Sequence, residues 1–327
     1  MGIFSIQMIE YSAFLYLRSM SFVKVIETLS AFYDKKNIVE KETLLKHIEE
    51  FADLLPSCEE ITKHFKPFRS RLYAWDGTWI KLNGENLVII ICFDVVTLDI
   101  ISYIIAKDET YKSYGKLIAK INETEPAILA NAKGFFADGE PSLIKHFKKE
   151  YSNIPFQLCV FHKYSRVGQL IPFKRAKGVN LEIKAKVEKV LFAPAKEEAI
   201  SALKELRVYA SEHQENKKLK EVIGILKRNF EFLLTHYDNP EMSPYNNTLE
   251  GFNDTIKRKT NLMKGFKKAE NVERWIKLII LDYRFHEIRS SRFPKRNGKS
   301  PLELANVNLP EYANWIKMLR KELRIAT

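Results

Sequence analysis

The chain has 327 residues, of which 46% are hydrophobic and 12% aromatic, so it can bury a sizeable core and is not an intrinsically disordered protein. Its formal net charge of +12 favours a polyanionic partner, of which nucleic acid is the commonest. Three cysteines without paired spacing, Cys58, Cys92 and Cys159, argue against a disulfide framework and indicate a reducing compartment. No apolar run approaches the roughly 18 residues that span a bilayer, so we expect no membrane partner and a cytoplasmic protein, at the nucleoid of a prokaryote.

Residues 1–70 are predicted to be helical. Apolar residues recur at helical spacing from Ile9 to Leu17, from Val23 to Leu29 and from Leu44 to Leu55. Three short helices in this order are compatible with a helix-turn-helix. The last of them is rich in glutamate, which repels phosphate, so a packing or dimerisation role is an equal alternative.

From Arg71 the pattern becomes that of strands and helices in alternation. Asn83-Gly84 is a strong hairpin signal between the first two strands. The predicted elements are strands at 74–82, 87–96 and 100–106, a helix at 110–121, a strand at 132–139, a helix at 141–149 and a strand at 156–161. The order βββαβαβ predicts a mixed α/β sheet.

The second half of the chain is predicted to be mainly helical. Between the fifth strand and Ser243 the periodicity is that of amphipathic helices, which indicates an all-α insertion. Asn246 or Asn247 then caps a helix that carries Glu250 and continues to Lys259. We therefore expect an N-terminal helical region at 1–70, a catalytic core at 71–162 and 243–290, a helical insertion at 163–242, and a basic, helical tail at 291–327.

Three acidic residues stand out by their positions. Asp76 lies in the middle of the first strand, where a charge is costly to bury unless it is paired or bound to a metal. Asp138 ends the fourth strand, at the edge where α/β sheets usually place their sites. The first and fourth strands are neighbours in such a sheet, so these two acids should converge, and the late helix can add Glu250. Asp94 and Asp99 are rival acids at strand ends.

Three carboxylates with open positions suit Mg²⁺, which keeps water ligands and accepts phosphate oxygens. Two such ions, about 3.5–4 Å apart, would serve an in-line displacement at phosphorus. An ordinary turn aspartate remains the alternative for Asp138, which precedes a glycine.

A basic segment follows Glu250. Aromatic residues, among them Phe266, Trp275 and Tyr283, are interleaved with the positive charges, which favours contacts to a phosphate backbone over a solvated helix face. The candidate DNA-binding residues are Lys257, Arg258, Lys259, Lys264, Lys267 and Lys268.

Several of these motifs resemble one family. Residues 75–78 (Trp-Asp-Gly-Thr), 137–140 (Ala-Asp-Gly-Glu) and 247–253 (Asn-Thr-Leu-Glu-Gly-Phe-Asn) resemble the three acidic blocks of insertion-sequence DDE transposases with an RNase H-like core. The similarity is greatest to the Mutator-like group, in which a helical insertion precedes the last acid. Residues 159–162 (Cys-Val-Phe-His) resemble the Cys-x-x-His signature that this group carries on the strand after the second aspartate.

The resemblance implies the rest of the function. Asp76, Asp138 and Glu250 would be the catalytic, metal-binding acids, with Cys159 and His162 as supporting residues. The cofactor would be Mg²⁺ or Mn²⁺, with two ions when DNA is bound. The partners would be double-stranded DNA, as transposon ends and as target, within a homodimer or a larger synaptic assembly.

Two other functions fit the same residues. An RNase H-like nuclease would cut DNA without joining it, and only analysis of the products separates it from a transposase. A regulator derived from a transposase would bind DNA without catalysis, although the intact acids argue against this alternative.

Overall fold

The computed structural model describes residues 5–261 and 265–325, apart from the side chains of Asn247, Thr248 and Glu250. Contacts between residues divide the chain into two compact units. The first unit takes the described residues of Met1–Ser70, Gly77–Ile128 and Thr248–Thr327, and the second takes Arg71–Asp76 and Leu129–Asn247.

The described residues form one mixed sheet of five strands. The strands are β1 (Leu72–Leu82), β2 (Glu85–Asp94), β3 (Ile100–Ala106), β4 (Gly134–Ala137) and β5 (Phe156–Leu158). Their order across the sheet is β3-β2-β1-β4-β5, with β2 and β3 antiparallel and β4 parallel to both β1 and β5. With one helix after β3 and another after β4, this is the predicted βββαβαβ arrangement of an RNase H-like core.

The hairpin between β1 and β2 is built by its turn residues. Asn83 and Gly84 both have positive φ, 50° and 84°, as a type I′ turn requires. From Val88 to Asp94, β2 is buried at every position. A strand covered on both faces reads as a continuous apolar run, which is why it could be located from the sequence.

Helix α13 (Ala269–Phe285) lies at the centre of the first unit. Its Trp275 is fully buried, and the centre of its ring lies 4.8 Å from that of Tyr16 and 5.8 Å from that of Phe22, so the N-terminal helices pack against it. The helices of this unit are α1 (Ile6–Leu17), α2 (Phe22–Phe32), α3 (Lys41–Leu54), α4 (Cys58–Phe65), α5 (Tyr111–Thr124), α12 (Asn247–Asn261), α13 (Ala269–Phe285), α14 (Pro301–Leu304) and α15 (Trp315–Glu322).

The N-terminal region has one helix more than predicted. Residues 5–70 form four helices rather than three, because α4 adds two short turns after α3. A capping box starts α4: the Ser57 hydroxyl accepts from the Glu60 amide, and the Glu60 carboxylate accepts from the Ser57 amide. The Ser-x-x-Glu spacing is visible in the sequence and could have revealed this helix.

The second unit packs helices on β4 and β5. Stacked rings of Phe135 and Phe147, 4.3 Å apart, form the middle of its core, with Trp75 and Phe156 at 5.4 and 5.2 Å from Phe147. Its helices are α6 (Pro141–Glu150), α7 (Val160–Leu170), α8 (Val179–Leu191), α9 (Lys196–Glu212), α10 (Lys217–Lys227) and α11 (Thr235–Asp238).

Lys163 joins two helices of the all-helical segment in this unit. Its buried Nζ donates to the carbonyl oxygens of Ile225, at 3.1 Å, and Arg228, at 2.9 Å, which lie at the C-terminal end of α10. Burial lowers the pKa of Lys163 to about 8. Orphan carbonyls at a helix end are thus satisfied by a lysine from α7.

A helix that crosses a membrane must be both long and apolar. Within residues 5–261 and 265–325, every helix is too short or too polar to cross a bilayer.

Candidate active site

Asp76 and Asp138 lie side by side on neighbouring strands. In the parallel pair of β1 and β4, Trp75 is opposite Ala137, so the next residue on each strand is an aspartate. Neighbouring strands are about 4.8 Å apart, which brings two carboxylates within reach of one cation. The strand register therefore places Asp76 and Asp138 next to each other on the sheet.

The two aspartates differ in exposure. Asp76 is half-buried in β1, directly after the fully buried Trp75. Asp138 is exposed, and its Oδ1 accepts from the amide of Glu140 at 3.3 Å. Gly139 has a φ of +110°, a conformation that favours glycine and turns the chain sharply into α6. The Asp138 carboxylate is thereby presented at the carboxyl end of β4.

Cys159 and His162 follow β5 at the same edge of the sheet. Leu158 is opposite Ala137, and the Cys159 amide donates to the Ala137 carbonyl at 2.9 Å, so Cys159 is level with Asp138. The Cys159 thiol is buried, and His162 is half-buried.

The expected position of these two residues on a strand was wrong. β5 ends at Leu158 rather than at position 161, because α7 begins at Val160 with Cys159 as its N-cap. His162 is consequently a residue of the first turn of a helix.

Glu250 lies on α12, as predicted, but its side chain is outside the described residues. Among the side chains that are described, no group of three or more His, Cys, Asp or Glu residues could hold a metal ion. Asp76 and Asp138 by themselves offer hard oxygen donors, and the exposure of Asp138 leaves room for water or phosphate. This donor set fits Mg²⁺ or Mn²⁺ and would need a further ligand.

The rival acids Asp94 and Asp99 have structural partners. Asp94 is buried and accepts from the amide and hydroxyl of Ser70, both at 2.7 Å. Asp99 is buried between Arg284, at 2.7 Å, and Arg69, also at 2.7 Å. Burial alone would raise the pKa of Asp99, but the two guanidinium groups outweigh it and hold that pKa below its ordinary value.

One carboxylate escaped the sequence interpretation. Glu109 precedes α5 and accepts from Trp79 Nε1 at 3.1 Å and from the Tyr114 hydroxyl at 2.8 Å. Glu109 also packs closely against Gly77, the residue that follows Asp76 in the chain. A Cβ atom added to Gly77 would lie 2.4 Å from Glu109 Oε1. No sequence pattern distinguishes Glu109 from the many acids that precede helices.

The basic segment after Glu250 does not present all of its predicted side chains to solvent. Lys257, Arg258, Lys267 and Lys268 are exposed, and Lys264 lies outside the described residues.

Lys259 departs from its predicted role as a DNA ligand. It is buried and paired with Asp282, so its ammonium group does not face solvent. Phe266 and Trp275 are also buried, so neither is open to the proposed phosphate-contact surface.

A model of the family described as "Transposase, Mutator family" matches residues 73–288. A comparison with curated proteins found no match.

Among solved structures, the HTLV-2 integrase catalytic core domain in complex with magnesium, in its dimeric form, is 12% identical with a TM-score of 0.24 and covers 39% of this chain and 90% of that chain. The simian T-cell lymphotropic virus intasome in complex with PP2A regulatory subunit B56 gamma is 12% identical with a TM-score of 0.31. The match covers 87% of this chain and 77% of that chain. At these scores no functional conclusion follows from the likeness. The family match, by contrast, extends over more than half of the sequence, and the chain belongs to the Mutator family of transposases.

Proposed function

We propose that this transposase cuts DNA at transposon ends and joins the freed ends to target DNA, with Asp76, Asp138 and Glu250 as its catalytic acids. The observation that carries the proposal is the register of β1 and β4, which sets two carboxylates side by side at one end of the sheet. Glu250 is included among the proposed acids because of its motif and its position on α12.

The chemistry consists of two in-line displacements at phosphorus. In the first, water attacks the phosphodiester at the transposon end and the 3′ oxygen leaves as a hydroxyl. In the second, that 3′-hydroxyl attacks a target phosphodiester, loses its proton to solvent and displaces the 3′ oxygen of the target strand. Both steps make and break one P–O bond, so one site can serve both.

Asp76, Asp138 and Glu250 would hold Mg²⁺ or Mn²⁺, two ions when DNA is bound. Metal ions bound there would supply positive charge that stabilises the scissile phosphate and the leaving oxygen. The protein's own part is to fix its carboxylates: Asp76 by the strand and the aromatic core beneath Trp75, and Asp138 by the turn at Gly139. Cys159, whose amide donates a hydrogen bond to the Ala137 carbonyl oxygen, would support this edge, and His162 would support it from α7.

The proposed DNA surface belongs to the first unit. Besides Lys257, Arg258, Lys267 and Lys268, a loop after α13 exposes four cations: Arg289, Arg292, Lys295 and Lys299. The loop is held in shape by Asn297, whose Oδ1 accepts from the Ser291 amide at 2.7 Å and whose Nδ2 donates to the Ser291 carbonyl at 3.1 Å. Such contacts position DNA without reading its sequence, and they weaken steeply as salt rises.

The remaining parts of the proposal concern assembly and location. Two transposon ends must be processed together, so we expect a homodimer or a larger synaptic complex on double-stranded DNA. We expect this complex at the nucleoid, in the cytoplasm of a prokaryote.

Strand transfer with the Asp138→Asn variant tests the proposal. DNA carrying the element's own ends is incubated with Mg²⁺ or Mn²⁺ and a target plasmid, and the products are separated by size. We expect joined products from the wild type and none from Asp138→Asn. Cut but unjoined DNA from the wild type would identify a nuclease, and DNA binding without any metal-dependent cutting would identify a regulator.

A further inference from the structure

A buried ion cluster lies on α13 of the first unit. Asp282 is 1% exposed, and its carboxylate accepts from Lys259 Nζ at 2.5 Å and from Trp315 Nε1 at 2.9 Å. The guanidinium group of Arg18 also donates to it. We call these four residues the Asp282 cluster. It joins α12 and the residue that follows α1 to α13 and to the start of α15.

Lys259 is held by its main chain as well as by its ammonium group. Its carbonyl oxygen accepts from the hydroxyl of Tyr16, on α1, at 3.0 Å. Burial lowers the pKa of Lys259, and the attraction of Asp282 opposes that shift. A buried ion pair adds little net stability, because desolvation offsets the attraction, and its best-attested use is to fix one register. The contacts of Lys259 therefore point to a role in placing α12.

The geometry of α12 separates Lys259 from Glu250. The two residues are nine positions apart, which is 2.5 turns, so their Cα atoms lie on opposite sides of the helix axis. The distance along the axis is about 13.5 Å. Lys257 is seven positions from Glu250, nearly two full turns, and its Cα lies on the same side as that of Glu250.

A second contact holds the N-terminal half of the same helix. The ring of Phe252 lies 4.4 Å from that of Tyr283, on α13, and 6.3 Å from that of Phe93, on β2. Phe252 and Lys259 are two turns apart on the buried side of α12. Two separated anchors define both the rotation of a helix and its position along its axis.

We propose that Lys259 and Asp282 are positioning residues. They fix the rotation of α12 and its position along its axis, and thereby they fix the placement of Glu250. The proposal rests on the proposed role of Glu250, and it assigns to Lys259 a function different from that of its neighbour Lys257. Lys257 contacts DNA phosphate, whereas Lys259 anchors the helix that bears the third acid. Two lysines of one Lys-Arg-Lys run thus serve opposite sides of the helix.

A crossed comparison of Lys259→Met and Lys257→Met tests this assignment. Amide hydrogen exchange of residues 247–261 is measured on the full chain without DNA or metal. Lys259→Met should speed exchange in this segment by about tenfold, because α12 loses one of its two anchors. Lys257→Met should leave the exchange unchanged, because the Lys257 side chain is exposed.

DNA affinity should respond in the opposite way. The slope of log K against log salt should decrease in magnitude by about 1 for Lys257→Met and should not change for Lys259→Met. At saturating DNA, the single-turnover cleavage rate of Lys259→Met should fall by about 10- to 100-fold per folded molecule, because small misplacements of a catalytic group are costly.

Unchanged exchange in Lys259→Met, or a reduced salt slope in that variant, would overturn the proposal. Should Lys259→Met not fold, Lys259→Gln replaces it, since its amide keeps one donor toward Asp282; the same increase in exchange, at a smaller size, is then required. A wild type without metal-dependent cleavage would refute the proposed function alone, because hydrogen exchange would still decide whether Lys259 holds α12.

Discussion

Asp99 and Asp282, in the first unit, and Asp138, at an edge of the second unit, have opposite surroundings. Asp99 and Asp282 are buried and surrounded by donors: two arginines for Asp99, and a lysine, an arginine and a tryptophan for Asp282. Asp138 is exposed and accepts one long bond, from the amide of Glu140. A carboxylate saturated by buried donors fixes how the elements around it pack, and one left open at the end of a strand is available to a metal and a phosphate.

The largest expected effect comes from removing a saturated carboxylate. Asp99→Asn leaves Arg69 and Arg284 without their shared partner, and we expect the free energy of unfolding to fall by about 3–5 kcal/mol. Asp138→Asn is the matched control and should change it by no more than about 0.5 kcal/mol, because asparagine can still accept from the Glu140 amide. Urea denaturation followed by circular dichroism measures both. Equal losses in the two variants would contradict the comparison.

The stability of the protein at low pH should also depend on the ion pairs of Asp99. Because the pKa of Asp99 is lowered in the fold, its contribution is complete above the pKa of an unfolded aspartate, about 3.9, and is lost as pH falls from there through the lowered pKa. The wild type should therefore lose stability below about pH 4 more steeply than Asp99→Asn does. Parallel stability curves for the two proteins below this pH would show that Asp99 is not a charged partner.

A smaller effect is expected at Gly77, beside Glu109, a half-buried carboxylate that accepts from the neutral donors Trp79 and Tyr114. A Cβ there would lie 2.4 Å from Glu109 Oε1, so Gly77→Ala should lower the free energy of unfolding by about 1–3 kcal/mol. Shortening the Glu109 side chain removes the closest contact and leaves Val88 Cγ2 at 3.0 Å from the new Cβ, so Gly77→Ala should cost less in a Glu109→Ala background. A double-mutant cycle by thermal unfolding measures this coupling. Additive changes in the free energy of unfolding would mean that the methyl group added at position 77 and Glu109 do not clash.

The smallest effect is expected on the exposed cations. Lys267→Gln should reduce the magnitude of the salt slope of DNA binding by about 1, without changing the unfolding free energy measurably. Fluorescence anisotropy at several salt concentrations checks it. Lys204→Gln, on an exposed position of α9, serves as the control, since it should leave the slope unchanged.

Much of the core could be predicted from the sequence because its signals are local. The apolar run of β2 and the Asn83-Gly84 turn each specify their own structure, and the order of elements then makes β1 and β4 neighbours. The adjacency of Asp76 and Asp138 follows from that order alone.

Two of the errors concern partners that are distant in the sequence. In the sequence, Lys259 belongs to a Lys-Arg-Lys run, which is typical of a solvated helix face. Its partner Asp282 lies 23 residues later and meets it only in the folded structure. Glu109 can be recognised only when Trp79, 30 residues earlier in the chain, donates to it. No periodicity encodes such pairs, because they are set by tertiary packing.

We expect Asp76 and Asp138 to form a divalent metal site that serves DNA cleavage. The most direct test is a calorimetric titration of wild type and Asp76→Asn with Mn²⁺, followed by nicking of DNA that carries the element's ends. We expect metal binding and metal-dependent nicking by the wild type, with both lost in Asp76→Asn while the variant remains folded. Identical metal binding and nicking by the two proteins would contradict this expectation.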